Sequence, residues 1–209
     1  MVAGIVGVVG IAMLPVSDKR IDKHQSRLDD FMPVWQFGEC HAIVVDAPPE
    51  RVFDAILHVS ADEIRFFRLL TTIRRGGRKG PEGILNVPEK LPILEVATRT
   101  SFVWLANEPP REIVVGTVVS APHVLPKGAK LTPELFTKTL MPGVALATMN
   151  FVVTPDGRGG SRVTTETRVY ANDASSKRRF AAYWRVIHPG SDIIRRSWLD
   201  AIKRRAEKR

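Results

Sequence analysis

Two passages at opposite ends of the folded part constrain this chain more than anything between them. Residues 39–47 alternate apolar and polar side chains, are rich in β-branched residues, and run directly into Pro48-Pro49. That pattern is a strand. The prolines end it and pre-organise a helical first turn, after which Val52, Phe53, Ile56, Leu57 and Val59 fall at helical spacing. At the other end, Phe180, Trp184, Ile187, Ile194 and Trp198 mark a long amphipathic closing helix. The stretch between them is mostly strand-like, so the chain reads as an α+β fold. A curved antiparallel sheet wrapped around the C-terminal helix would satisfy both apolar faces and can enclose a cavity.

The intervening segments fit that plan. Ser60 with Glu63 three residues on is a capping box that predicts a second helix through Ile64, Phe67, Leu69, Leu70 and Ile73. Residues 76–92 are rich in Gly, Pro and charge and read as an exposed loop, followed over 93–98 by a short helix after Pro92 or a strand, the helix being favoured. Residues 102–107 and 111–120 read as strands around Glu108-Pro109-Pro110, and alternation puts Phe102, Trp104 and Ala106 on one face. Thr132-Pro133-Glu134 announces a short helix with Leu135, Phe136 and Leu140, closed by Gly143. Residues 144–153 and 161–171 form a hairpin around Pro155-Asp156-Gly157. Ser175 or Ser176 is the expected cap of the last helix. Pro189-Gly190 predicts a kink or break near 186–190, with Ser191 recapping the second half.

Length and composition restrict the class. At 209 residues the chain suits one sizeable domain with appendages. Its single cysteine, Cys40, rules out an internal disulfide. The net charge of +9 is concentrated at the end: residues 175–209 hold eleven Lys or Arg against three acidic residues. A second basic cluster, Arg74, Arg75, Arg78 and Lys79, lies in the Gly-rich loop. Such clusters suit an anionic membrane surface or the solvated face of a helix. The tryptophans of the basic helix fall on its apolar face, which argues against nucleic acid. Residues 1–16 carry no charge and read as an apolar segment, a candidate membrane anchor. About fifteen helical residues span only ~22 Å of a ~30 Å hydrocarbon core. Lys19, Arg20, Lys23 and Arg27 follow, so that if the segment inserts, the domain is cytoplasmic and tethered to the inner membrane face by residues 2–16; the alternative is a floppy or docked apolar N-terminus. Residues 17–35 read as a polar linker, and 36–209 as the folded domain.

The order strand, helix, helix, antiparallel strands, long C-terminal helix resembles the helix-grip fold of the START-like (SRPBCC) superfamily. The resemblance rests on Val45-Asp46-Ala47-Pro48-Pro49-Glu50-Arg51-Val52-Phe53-Asp54-Ala55-Ile56 and on the position of the terminal helix. Glu63-Ile64-Arg65-Phe66-Phe67-Arg68-Leu69-Leu70 and Tyr183-Trp184-Arg185-Val186-Ile187-His188-Pro189-Gly190 look like an uncharacterised bacterial branch of that group. The group includes polyketide cyclases, pollen-allergen-type proteins and lipid-transfer domains, so the resemblance implies binding of a small hydrophobic molecule, lipid or polyketide-like. It does not decide between a binder and an enzyme.

Strand parity supplies candidate residues. Glu39 and His41 share the apolar face of Ile43, Val45 and Ala47, where a carboxylate beside an imidazole could serve proton transfer. At a strand end, however, same-face neighbours of this kind are more often ordinary hydrogen-bonded residues of a solvent-accessible rim. Trp104, Met149, Phe151 and Trp184 are the expected apolar wall, Tyr183 a further polar group, and Phe136 either a lid or a staple for its loop. Arg162, Thr164, Glu166 and Arg168 share the opposite face of their strand and read as a charged ladder on a wet surface, with a buried ionic site as the alternative. The five histidines lack metal-ligand spacing, and no Gly-rich nucleotide motif or nucleophile elbow occurs. No metal or cofactor is therefore expected. Three readings remain: a hydrophobic-ligand binder, a cyclase or dehydratase using His41 and Glu39, and an interaction domain with a filled core.

Overall fold

The computed structural model describes residues 16–78, 80–88, 90–120, 132–138 and 143–208. In chain order the first elements are β1 (Lys19–Arg20), α1 (Leu28–Phe31), β2 (Val34–Trp35), β3 (Phe37–Val45), α2 (Pro49–His58), α3 (Phe67–Arg74) and α4 (Ile93–Thr100). Next come β4 (Phe102–Glu108), β5 (Glu112–Ser120), α5 (Pro133–Lys138), β6 (Ala145–Pro155), β7 (Ser161–Ala171) and α6 (Ala174–Glu207). Strands β3-β7-β6-β5-β4 form an open antiparallel sheet, and α6 packs on one face of it.

Parity decides what each sheet face carries. The face toward α6 presents Val45, Phe151, Val153 and Val163, which are buried with Val52 and Ile56 of α2, Ile93 and Val96 of α4, and Trp198, Leu199 and Ile202 of α6. The loop expected to be exposed also sends Val87 into this core. A second apolar cluster closes the other end of the same seam: Phe37, Val169 and Ala171 of the sheet meet Phe180 and Ala181 of α6.

Several local signals take a different tertiary form from the one predicted. The Ser60–Glu63 box is made, with the Ser60 backbone N–H donating to Glu63 Oε1 at 2.9 Å, but it opens a single 3₁₀ turn, Ala61–Glu63. The chain then extends to bury Ile64, and α3 starts only after Phe66. In β4 a bulge between Trp104 and Ala106 breaks the alternation, so Ala106 pairs with Val114 and joins the other face. The last helix is capped by Asp173, whose carboxylate accepts from the backbone N–H groups of Ser175 (2.9 Å) and Ser176 (3.0 Å), not by either serine side chain. Pro189 lies inside α6 without ending it. The proline removes one rung, while packing of Phe180 and Ala181 on one side and Trp198 to Ile202 on the other holds both halves to the sheet.

The largest correction concerns residues 17–35. They form a strap over the outer sheet face: β1 pairs with β2, and Leu28, Asp29 and Met32 are buried. Beneath the strap, Arg168 is buried rather than wet. Its guanidinium donates to Asp29 Oδ1 (2.7 Å), the Met32 carbonyl (3.0 Å) and Glu166, and stacks 4.0 Å from the Trp35 ring centroid. Burial pushes the Asp29 carboxyl up, but hydrogen bonds from the Gln25 N–H, Arg168 and the Ser26 N–H outweigh it and hold the group below its ordinary value. Nearby, Glu112 accepts from the Arg27 N–H (2.8 Å) and from Asn150 Nδ2 (2.9 Å). This outer polar network is well partnered, as buried structural networks are.

Helix α5 also serves the outer face. Thr132 Oγ1 accepts from the Leu135 N–H at 3.1 Å, as the capping signal predicts. Phe136 is buried with Met32, Val103, Leu105 and Leu146. Its ring sits over Gly116, where an added Cβ would come within 2.9 Å of it. Leu140 lies outside the described residues.

Among the described residues no helix is long and apolar enough to cross a membrane. Residues 1–15, and with them the predicted anchor, lie outside the described residues. Val16 packs against the Phe37–Phe180 cluster.

Candidate functional site

The seam between sheet and α6 is apolar at both ends and polar in the middle. Along one side of α6 the sequence runs Phe180, Trp184, then His188, Ser191, Asp192 and Arg195, then Trp198 and Ile202. Steps of three and four residues keep these side chains on one helix face, and the polar stretch covers about 10 Å of helix. Between Ala181 and Ser197 no residue of α6 is fully buried. Facing this stretch, the sheet contributes Glu39 and His41 of β3 and Thr165 and Thr167 of β7, with Glu39 opposite Thr167 and His41 opposite Thr165.

Glu39 and His41 form the floor, each only 9% exposed. The rim placement is therefore replaced by burial, because α6 lies across this end of β3. Glu39 Oε1 accepts a hydrogen bond from Ser191 Oγ at 2.6 Å and lies 3.6 Å from Arg195 Nε. Glu39 Oε2 lies 3.8 Å from both His41 Nε2 and His188 Nε2. His41 Nε2 is 3.6 Å from Asp192 Oδ1. Those separations exceed a hydrogen bond, and Glu39 Oε2 and His41 Nε2 are buried without a partner. Thr167 Oγ1 and Trp198 Nε1, on the same seam, are buried and unpartnered as well. The contrast with the outer network is direct, since buried polar atoms normally have partners.

Charge around the floor is mixed. Burial lowers the Arg195 guanidinium to about 10, and its Nη1 meets Met149 Sδ while its face lies 5.5 Å from the Trp198 ring. Asp192 is held below its ordinary value, chiefly by its hydrogen bond from Arg196. The side chains of His188 and Asp192 are 42% and 32% exposed, so the polar belt opens to solvent on their side. Among the described residues no group of three His, Cys, Asp or Glu side chains is placed to hold a metal ion.

The predicted residues divide accordingly. Glu39, His41, Met149 and Trp184 come together around the belt, with the Trp184 ring 5.0 Å from the His188 ring. Phe151 lies deeper, edge-on to Trp198 at 5.3 Å. Trp104 is half-buried against the same core from the far edge strand. Tyr183 points away from the seam: it is 38% exposed and its hydroxyl accepts from Arg74 Nε at 2.7 Å. Phe136, on the opposite sheet face, plugs Gly116 and cannot close the seam. Thr167, Asp192 and Arg195 escaped sequence reasoning. A polar interval within an otherwise apolar helix stripe, spaced 188, 191, 195, was the available signal.

No protein-family model matches the chain, and no curated protein matches it in sequence. Among solved structures it is similar to a conserved protein from Geobacillus kaustophilus, at 11% identity and a TM-score of 0.39, covering 81% of this chain and 95% of that one. A protein from Thermus thermophilus is similar at 13% identity and a TM-score of 0.31, over 81% of this chain and 97% of the other. Likenesses of this strength assign neither family nor function.

Proposed function

We propose that the chain is a START-like helix-grip domain that binds a small, mainly hydrophobic molecule in the seam between sheet and α6. The molecule's polar group meets Glu39 and His41, and its apolar body lies along Trp184 on one side and Met149 on the other. The observation that carries this reading is the set of four buried polar atoms without partners, all on one seam. Leaving such atoms unpaired costs about 1–3 kcal/mol each, a cost that a ligand supplying the missing hydrogen bonds offsets. A mostly apolar site with a few convergent polar groups is the usual form of a small-molecule pocket.

The test is native mass spectrometry of protein purified from its own host, followed by titration of stripped protein with 1-naphthol and lauric acid. Trp184 and Trp198 flank the belt and report binding by fluorescence. Saturable binding that His41→Phe and Glu39→Leu abolish is the expected result. An empty protein that binds neither probe sinks the reading in favour of a filled-core interaction domain.

A second reading, a cyclase or dehydratase, draws on one observation: His41 Nε2 stands between two carboxylates, Glu39 at 3.8 Å and Asp192 at 3.6 Å. Flanking charge of this kind suits an imidazole that moves protons. It requires that a co-purified compound be converted on incubation with the wild type and not with His41→Gln, read as a change in chromatographic retention for a cyclisation or as loss of one water in mass for a dehydration.

A further inference from the structure

Cations without a carboxylate partner gather around α3 as well as along the basic closing helix. In the C-terminal third of α6 the cations are largely neutralised internally: Arg196 pairs with Asp192, Lys203 with Glu207 and Arg205 with Glu63. Arg65, Arg74, Arg75 and Arg78 pair with no carboxylate among the described residues, and all four lie on or beside α3.

The same helix shows solvent an apolar stripe. Phe66, Leu69 and Ile73, at helical spacing, are 60%, 58% and 63% exposed, while Phe67 and Thr71 on the opposite side are buried. Phe66 holds a left-handed φ of 61°, a conformation unfavourable for a bulky residue, and the chain adopts it with the ring facing water. Val186 of α6, 80% exposed, extends the apolar surface. The two helices meet there: Arg74 binds the Tyr183 hydroxyl, and Leu70 lies against Gly190. Exposed large apolar side chains grouped in this way mark an interaction surface.

We infer that this face of α3, with Val186 beside it, docks the protein on an anionic phospholipid bilayer. Apolar side chains on one helical stripe ringed by arginines form the amphipathic pattern of a helix lying in a membrane interface. Phe66, Leu69 and Ile73 enter the acyl boundary, and Arg65, Arg74, Arg75 and Arg78 meet headgroup phosphates. The unpaired charge selects this partner over a neutral apolar one, since each cation near an anionic leaflet gains electrostatic energy there. Docking is independent of whether the seam holds a ligand, though it brings the Gly190 turn of α6, next to the polar belt, close to the lipid.

The experiment is flotation of the full chain with phosphatidylcholine vesicles, with and without phosphatidylglycerol. Partition should require phosphatidylglycerol and weaken with salt. Leu69→Gln with Ile73→Gln should reduce it by roughly tenfold or more. Arg65→Gln with Arg78→Gln, whose side chains make no hydrogen bond or ion pair among the described residues, should reduce it on the order of twenty-five-fold, about fivefold per arginine. Hydrogen exchange on the vesicles should slow in residues 66–75. Residues 1–16 are identical in every variant, so partition unchanged by both pairs, or protection confined to 1–16 or 196–208, overturns the inference. A concentration-dependent dimer abolished by Leu69→Gln would assign the stripe to a second copy of the chain and overturn it equally.

Discussion

Thr165 and Thr167 share one strand and one sheet face, and valine at the two positions should act in opposite directions. Thr167 Oγ1 is buried with no partner, whereas Thr165 Oγ1 donates to the Asn150 carbonyl at 2.7 Å. Valine matches threonine in shape and in strand preference, so the hydroxyl is what each substitution removes. At 167 the change eliminates an unpaired buried group, whose cost is about 1–3 kcal/mol, and adds a buried methyl; a net stabilisation of about 1 kcal/mol follows. At 165 it strips a made bond and takes a donor from the Asn150 carbonyl, a loss of about 1 kcal/mol. For a domain of this size each corresponds to about 2–4 °C in Tm. The assay is urea unfolding of protein refolded free of bound compounds, with equal m-values confirming that only stability changed. Thr167→Val should also weaken binding of 1-naphthol, a gain in stability at the expense of function. Destabilisation by Thr167→Val would show that the hydroxyl already has a partner in the free protein, and would remove it from the case for a ligand site.

Three further outcomes are expected. The Asp29 carboxyl is held below its ordinary value of 3.8 in the folded state, so its contribution is complete above that pH and is lost as pH falls through the folded value; the urea midpoint should drop between about pH 5 and pH 3, less steeply in Asp29→Asn. Asp173→Ala removes the cap of α6 and should cost about 1 kcal/mol by thermal unfolding, with faster exchange in the first turn of the helix. Gly116→Ala drives a Cβ to 2.7 Å from Leu105 and 2.9 Å from Phe136, and should destabilise by about 1–3 kcal/mol; Phe136→Leu in the same chain should recover part of the loss.

Much of the architecture is legible in local pattern, because local sterics produce it. The Pro48-Pro49 junction, the helix after Pro92, the Thr132 cap and the 155–160 hairpin depend on φ constraints and short-range hydrogen bonds, and each stands where the residues place it. The candidate site was legible in part for the same reason. A period of two puts Glu39 and His41 on the face of Val45 whatever packs above them. What local pattern misjudged involves a neighbour distant in sequence. Alternation separates the faces of β7 but is silent on whether residues 18–36 fold back to cover one, so Arg168 looked wet. Pro189 left a break open as well as a kink, because the packing that carries α6 through it comes from strands elsewhere in the chain.

By itself the sequence determined the order of elements, the parity of each strand and the apolar stripe of the closing helix, all consequences of backbone geometry and side-chain period. Tertiary structure alone decided which polar groups found partners. Asp29 reached Arg168 across 139 positions, while Glu39 Oε2 and His41 Nε2 came under α6 at 3.6–3.8 Å from neighbouring carboxylate and imidazole atoms and stayed unpaired. A hydrogen bond is gained or lost over less than an ångström, and separations that fine depend on how helix and sheet settle against each other, which no local pattern encodes.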